Sequence, residues 1–380
     1  WSWAEEEVMP KQDEIRTIAV LGAGHGGCAA AADLTLRGYT VKLQARREER
    51  LRPLREKGGI EIEGGVHNAF VPLAHLTTEV AEAVEGADLI MLAVPSVAHA
   101  DYARQLAPLL SPDRIVYLNP GHTGGCLHFV HALRGAGYRE DVQTCETITL
   151  TYICRMQSPA KVRLMSYIRK LGWAAFPGRL ADRLFSLVHP IFPETVRFPN
   201  VLVTGLSDMN AVFHPPGMLM NAGWIESTGG DFLFYHEGVT ESVGRVTAAV
   251  DAERMAVAVA LGVETRSFLE TFHAAGLTTD EALASGNISR ACRESGPNKT
   301  VRSPSSLDDR YIHEDVGYGL VPYAELGRLA GVPTPTIDAH IHLASLATGI
   351  PYRESGLTLE KMGIAGMQPA GLARYVEEGR

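Results

Sequence analysis

Residues 17 to 27 read Thr-Ile-Ala-Val-Leu-Gly-Ala-Gly-His-Gly-Gly, a short apolar run that stops at Gly22 and continues as Gly22-x-Gly24-x-x-Gly27. In a dinucleotide-binding turn each glycine has its own task. Gly22 permits the tight strand-to-helix turn, Gly24 lets the backbone approach a pyrophosphate, and Gly27 brings the next helix close to the sheet. His25 and Gly26 complete the loop. The helix it opens, Cys28-Ala29-Ala30-Ala31-Ala32, has side chains small enough for close packing and offers its positive N-terminal end to phosphates.

The second strand, Tyr39 to Gln44, ends where an NAD enzyme usually carries a carboxylate for the ribose 2′-hydroxyl. Here the tip is Ala45-Arg46-Arg47. Two guanidiniums suit a 2′-phosphate, because each makes bidentate, permanently charged contacts. NADP(H) is therefore expected over NAD(H), although the same arginines also read as the start of a solvated helix, Arg-Arg-Glu-Glu-Arg.

At 380 residues, 46% hydrophobic and 21% charged, the chain can bury two domains, each expected to have its own core. A net charge of −9 without a basic tract argues against nucleic acid or anionic membrane as the main partner. The five cysteines (28, 126, 145, 154 and 292) are odd in number and lack a CxxC pair, so a reduced, cytoplasmic protein with no structural zinc is expected. No HExxH or acidic cage appears either, and no metal is expected. Residues 1 to 14 read as a poorly ordered extension without the layout of a signal peptide.

Apolar runs alternate with helical stretches through residues 15 to 198, the βαβ pattern of an α/β doubly wound parallel sheet. One run ends at Val94-Pro95 and another at Asn119-Pro120-Gly121, both expected to flank the cofactor. Thr147 to Ile153 and Val162 to Tyr167 look like further strands, and Leu180 to Val188 like a helix. From residue 199 to 380 the texture becomes helical, which predicts an all-α C-terminal domain. Asn200 is placed to cap a helix that runs past Met209 and breaks at His214-Pro215-Pro216. A longer helix follows from about Ser242, on which Arg254 is expected to snorkel. Later helices are expected to start near Pro322, Pro335 and Thr358.

From about residue 15 to 378 the chain resembles the opine dehydrogenases of the octopine and nopaline type. The motifs that carry the resemblance are Asn119-Pro120-Gly121-x-Thr123-Gly124-Gly125, Glu146-Thr147, Cys154-Arg155, and Asn210-Ala211-Val212-x-His214-Pro215. Further along are Tyr235-x-Glu237-Gly238-x-Thr240-x-Ser242-Val243, Asp251-x-Glu253-Arg254, and Glu314-Asp315-Val316-x-x-Gly319-Leu320-Val321-Pro322. The resemblance implies a Rossmann-type domain followed by a helical one. It also implies NAD(P)H-dependent reductive condensation of an amino acid's amine with a 2-oxo acid through an imine. A homodimer is expected separately. Glu146 is then expected on the cofactor side and Asn210 on the substrate side.

Imine formation and reduction need a proton shuttle and anchors for carboxylates. His214 suits the first task, since imidazole ordinarily titrates near neutrality and a broken helix would present it at the interdomain cleft. Asp315 suits the orienting carboxylate. The resemblance places the pair on these same positions; without it, a core histidine and a helix cap explain them equally well. Lys299, Arg302 and Arg310, together with Arg155 on the other domain, are candidates to hold substrate carboxylates, or else belong to solvated loops. His25, His99 and His122 stand where they could line the cofactor, but each reads more simply as a surface or loop residue. A ketopantoate-reductase-like or glycerol-phosphate-dehydrogenase-like reductase is the alternative enzyme, and a non-catalytic nucleotide sensor the alternative outside catalysis.

Overall fold

The computed structural model describes residues 14–380. The expected N-terminal extension falls almost wholly outside them. Twelve strands form two sheets: β1 Thr17–Leu21, β2 Thr40–Gln44, β3 Gly59–Glu63, β4 Ala69–Pro72, β5 His75–Thr77, β6 Leu89–Leu92, β7 Ile115–Leu118, β8 Gln143–Thr147, β9 Tyr152–Ser158, β10 Lys161–Tyr167, β11 Leu171–Phe176 and β12 Thr195–Arg197. The large sheet has the order β12-β11-β8-β7-β6-β1-β2-β5 and is parallel from β8 to β5. β11 joins it antiparallel to β8, so the parallel sheet is mixed at one end. β6 and β7 are buried along their whole length, as strands covered on both faces must be.

The second sheet, β4-β3-β10-β9, was not foreseen. It packs on the helix His25–Leu36, whose Asp33 is buried and accepts hydrogen bonds from Tyr152 (3.2 Å) and Tyr167 (2.6 Å). The expected strand from Thr147 to Ile153 divides in two. Residues 148–151 cross between the sheets, held where Thr151 N donates to Asn119 Oδ1 at 2.9 Å.

Beyond β12 the chain is helical apart from one bridge between Leu233 and Arg302. Asn200 caps the helix Val201–Gly205 by accepting from Leu202 N. That helix stops early because Tyr323 Oη donates to the carbonyls of Gly205 and Asp208, and Arg254 donates to that of Leu206. Asp208 then caps a new helix, Met209–Leu219, which contains Pro215 and Pro216 rather than ending at them. Arg254 does not snorkel: it is buried, bonded to Asp251 and to the carbonyls of Leu206 and Arg266. A helix begins at Pro335, but none starts near Pro322: Val321–Ala330 continues without a break from Arg310–Asp315 through the π-helical turn Val316–Leu320. Thr358 opens only a turn, and the last helix is Pro369–Glu378.

The two hydrophobic cores are not one per domain. One covers a single face of the large sheet with the helix His25–Leu36 and the small sheet. The other runs continuously from the opposite face, through Leu92, Leu118 and Phe129, into Val212, Phe234, Val316 and Leu372 of the helical half.

Candidate active site

At the glycine turn the backbone dictates the residues. Gly22 has φ of +110°, and a Cβ there would lie 2.6 Å from the Ala93 carbonyl oxygen; one on Gly27 would lie 1.6 Å from that of Gly22. At Gly24 a Cβ would meet nothing within 4 Å, so the space beside that glycine is open. The helix beginning at His25 has no side-chain cap, which leaves its first N–H groups for an anion. A Cβ on Gly26 would strike Leu150 at 2.7 Å. Arg46 and Arg47 are exposed at the tip of β2, and their guanidinium groups make no hydrogen bond or ion pair among the described residues. These features fit a dinucleotide with its pyrophosphate over Gly24 and its adenosine ribose toward the two arginines.

The other tips are partly different from expectation. Pro95 is exposed beyond β6, and Val94 is buried against the glycine turn. Asn119 is buried at the end of β7 with both ends of its amide on Thr151, and Gly121 N donates to the Thr147 carbonyl. Pro120 is half-buried. Glu146 is 0% exposed, bonded to Thr204 Oγ1 and Cys126 N beneath Gly121. The side chains of Asn119 and Glu146 therefore hold neighbouring loops together. Burial pushes the Glu146 carboxyl up to about 7.

The helix Met209–Leu219 carries His214, whose Nδ1 lies 2.7 Å from Asp315 Oδ2. Both side chains are buried, so His214 is set deeper than a broken helix would place it. Its ring stacks on Tyr311 with centroids 3.6 Å apart and an interplanar angle of 6°. With Nδ1 engaged by Asp315, Nε2 is the ring nitrogen left without a protein partner among the described residues. Asp315 is the last α-helical residue of Arg310–Asp315, which Asp309 caps and which runs straight into the π-helical turn Val316–Leu320, and burial raises its carboxyl above the usual range against the pull of His214. Asn210, one turn before His214, reaches across to Thr149 Oγ1 at 3.4 Å.

Arg310 and Arg155, one from each half, both lie near this pair. Their positive charges act on Tyr311 and on His25, whose pKa is lowered first by burial and then by Arg155, Arg310 and Arg50. His25 itself is anchored, its Nδ1 accepting from Met156 N at 2.8 Å. The other two candidate cations are elsewhere. Arg302 is exposed and paired with Asp231, and Lys299 is exposed with no contact linking it to His214 or Arg310.

Residues 197–348 match the family model described as NAD/NADP octopine/nopaline dehydrogenase, alpha-helical domain, and residues 18–123 match that of ketopantoate reductase PanE/ApbA. An opine dehydrogenase from Arthrobacter sp. (strain 1C) is 36% identical over 367 residues, covering 96% of this chain and 99% of that protein. The chain belongs to the opine dehydrogenase family. It is thus an oxidoreductase of the CH–NH class that uses a nicotinamide cofactor. Octopine dehydrogenase solved with NADH and L-arginine shares the fold, with a TM-score of 0.73 at 18% identity over 96% of this chain and 98% of that one. Yersinopine dehydrogenase with NADP+ bound gives 0.74 at 17% identity, with the same coverage.

Within this family member, three buried or half-buried groups that sequence reading left out sit beside the His214–Asp315 pair. Tyr311 covers the imidazole, and Asp208 and Glu314 approach His122. His99 and His122 are both buried, contrary to a surface placement, although His122 does lie in a loop and His99 opens the helix His99–Leu106. Glu314 stood in the motif beside Asp315, and Asp208 is a cap residue two positions before Asn210; both were legible as acids, but not as partners of a histidine in the other half.

Proposed function

We propose that this protein is an NADPH-preferring opine dehydrogenase that joins the amine of an amino acid to a 2-oxo acid, with the chemistry at His214 and Asp315 in the helical half and cofactor binding in residues 15–198. The observation that carries the reading is the buried His214–Asp315 hydrogen bond of 2.7 Å, beneath Tyr311, whose hydroxyl feels the charges of Arg310 and Arg155 from opposite halves. NADPH, when bound, supplies the hydride. Asp315 holds Nδ1–H of His214, fixes the tautomer and stabilises the imidazolium. Nε2 then takes a proton from the ammonium of the amino acid and returns protons as the carbinolamine loses water to the imine. Arg310 and Arg155 hold carboxylates by charge-assisted contacts, which orients two negatively charged substrates that would otherwise repel. Tyr311, buried and stacked on the imidazole, shields the proton shuttle from bulk water.

Arg46 and Arg47, unpaired at the tip of β2, support NADPH over NADH. Five buried free thiols support a reducing, cytoplasmic setting, and a homodimer is part of the same proposal. The test is NADPH consumption over a panel of amino acids with pyruvate and longer 2-oxo acids, each component omitted in turn. Oxidation that needs both is the expected result; full-rate oxidation with the oxo acid alone would identify a simple oxo-acid reductase, the reading favoured by the ketopantoate reductase match over residues 18–123.

A further inference from the structure

The loop after β7 turns at His122 with φ of +54°, a left-handed backbone that a residue other than glycine adopts only at a cost. The turn aims the imidazole, 4% exposed, at the helical half. Nδ1 lies 3.1 Å from Asp208 Oδ2, and Nε2 lies 3.5 Å from Glu314 Oε1. The same Glu314 oxygen accepts hydrogen bonds from Ser96 N at 2.9 Å and Ser96 Oγ at 3.2 Å, on the turn that follows β6. One carboxylate on each ring nitrogen is an arrangement for an imidazolium, which has a donor on both.

Each of those carboxylates adjoins one member of the catalytic pair. Asp208, 1% exposed, caps the helix that carries His214, accepting from Asn210 N at 2.9 Å. Glu314 immediately precedes Asp315. The contact therefore ties two cofactor-side segments, the Ser96 turn and the His122 loop, to both segments that hold the proton shuttle. We infer that His122 is a positioning residue: its imidazolium clasps Asp208 and Glu314 and sets the register of the His214–Asp315 pair against the cofactor side of the cleft. The inference rests on the reaction proposed above.

The groups facing His122 agree with a standing positive charge. Burial works against it and is the largest effect, but Glu314, Asp208 and Asp315 outweigh it and push the imidazole up to about 9. Buried Glu146 also feels the His122 charge, and buried His99 is held down to about 3, so no second cation arises there at neutral pH. Because both ring nitrogens are engaged, His122 holds its proton rather than passing it on. As pH rises through about 9 the clasp loses its charge, and turnover is expected to fall.

The test uses the full-length protein, with His122→Gln, Glu314→Gln and the double variant. His122→Gln is expected to lower kcat by about 100-fold, the scale of a small misplacement of reacting groups, while KM for amine and oxo acid and Kd for NADPH stay within about threefold. The alkaline limb of kcat should be absent in that variant. In Glu314→Gln the limb should move to lower pH, because one of the opposing carboxylates is gone, and the double variant should lose no more than His122→Gln alone. Retained NADPH binding shows that each variant folds; if His122→Gln fails to bind it, the displaced limb of Glu314→Gln decides. A normal kcat with an unchanged limb in His122→Gln, an unmoved limb in Glu314→Gln, or a raised oxo-acid KM with kcat intact would each overturn the clasp. A wild-type protein that oxidises NADPH with no amine and oxo-acid pair would instead remove the reaction on which it rests.

Discussion

Among single residues, His214 and Asp315 carry the proposed chemistry. His214→Asn is expected to cut turnover by about 100-fold to 10,000-fold, as loss of a positioned proton shuttle does, with NADPH affinity nearly intact. Asp315→Asn should fall steeply too, and the double variant should lose far less than the product of the two, because residues acting as one unit are not additive. Steady-state kinetics with separately measured cofactor Kd checks both statements. For the coenzyme, Arg46→Ala with Arg47→Ala should raise KM for NADPH and shift preference toward NADH; equal use of both coenzymes by the unmodified protein would refute the 2′-phosphate argument. The glycines of the turn were legible because the local backbone alone imposes them, as the contacts at Gly22 and Gly27 show. For Asn119 and Glu146 a motif gives position along the chain but not which way a side chain faces, and the bonds of both to neighbouring loops were not legible. His214 and Asp315 are 101 residues apart, and only resemblance brought them together before the fold did.

Among elements, the strands of the large sheet that are wholly apolar were readable, while short β3 to β5 were not. Yet Gly59-Ile60-Glu61-Ile62-Glu63 alternates with period two, its isoleucines buried and its glutamates turned to Lys161, and that signal was available. The break between Val201–Gly205 and Met209–Leu219 was misplaced for a different reason. Proline at 215 and 216 is a local signal, but the real break comes from long-range donors, Tyr323 and Arg254, that take the carbonyls a continuing helix would use. Arg254 thus has a structural role that its sequence neighbours do not announce. Arg254→Ala leaves a buried Asp251 and the Leu206 and Arg266 carbonyls without this partner, and should cost about 3–5 kcal/mol in chemical denaturation. A loss below about 1 kcal/mol would mean that water or a neighbour replaces it.

The whole molecule is less divisible than its sequence texture. The last helix returns to the dinucleotide-binding half, where Arg134 donates to Tyr375 Oη at 3.2 Å and to the Gly379 carbonyl at 2.6 Å, and Phe176 meets the Tyr375 ring at 5.3 Å. One core passes from the sheet into the helical half. Calorimetry should therefore show a single cooperative transition, and two separated transitions would contradict a shared core. The same continuity explains how a histidine from one half and two acids from the other come to share the site. The central claim, that hydride goes to an imine made from two substrates, is tested most directly with NADPH deuterated at the transferring position, an amino acid and pyruvate. A secondary amine dicarboxylate bearing one deuterium on the former keto carbon is expected, and no deuterated product when the amine is left out. Deuterated lactate formed at the full rate from pyruvate alone would contradict the claim.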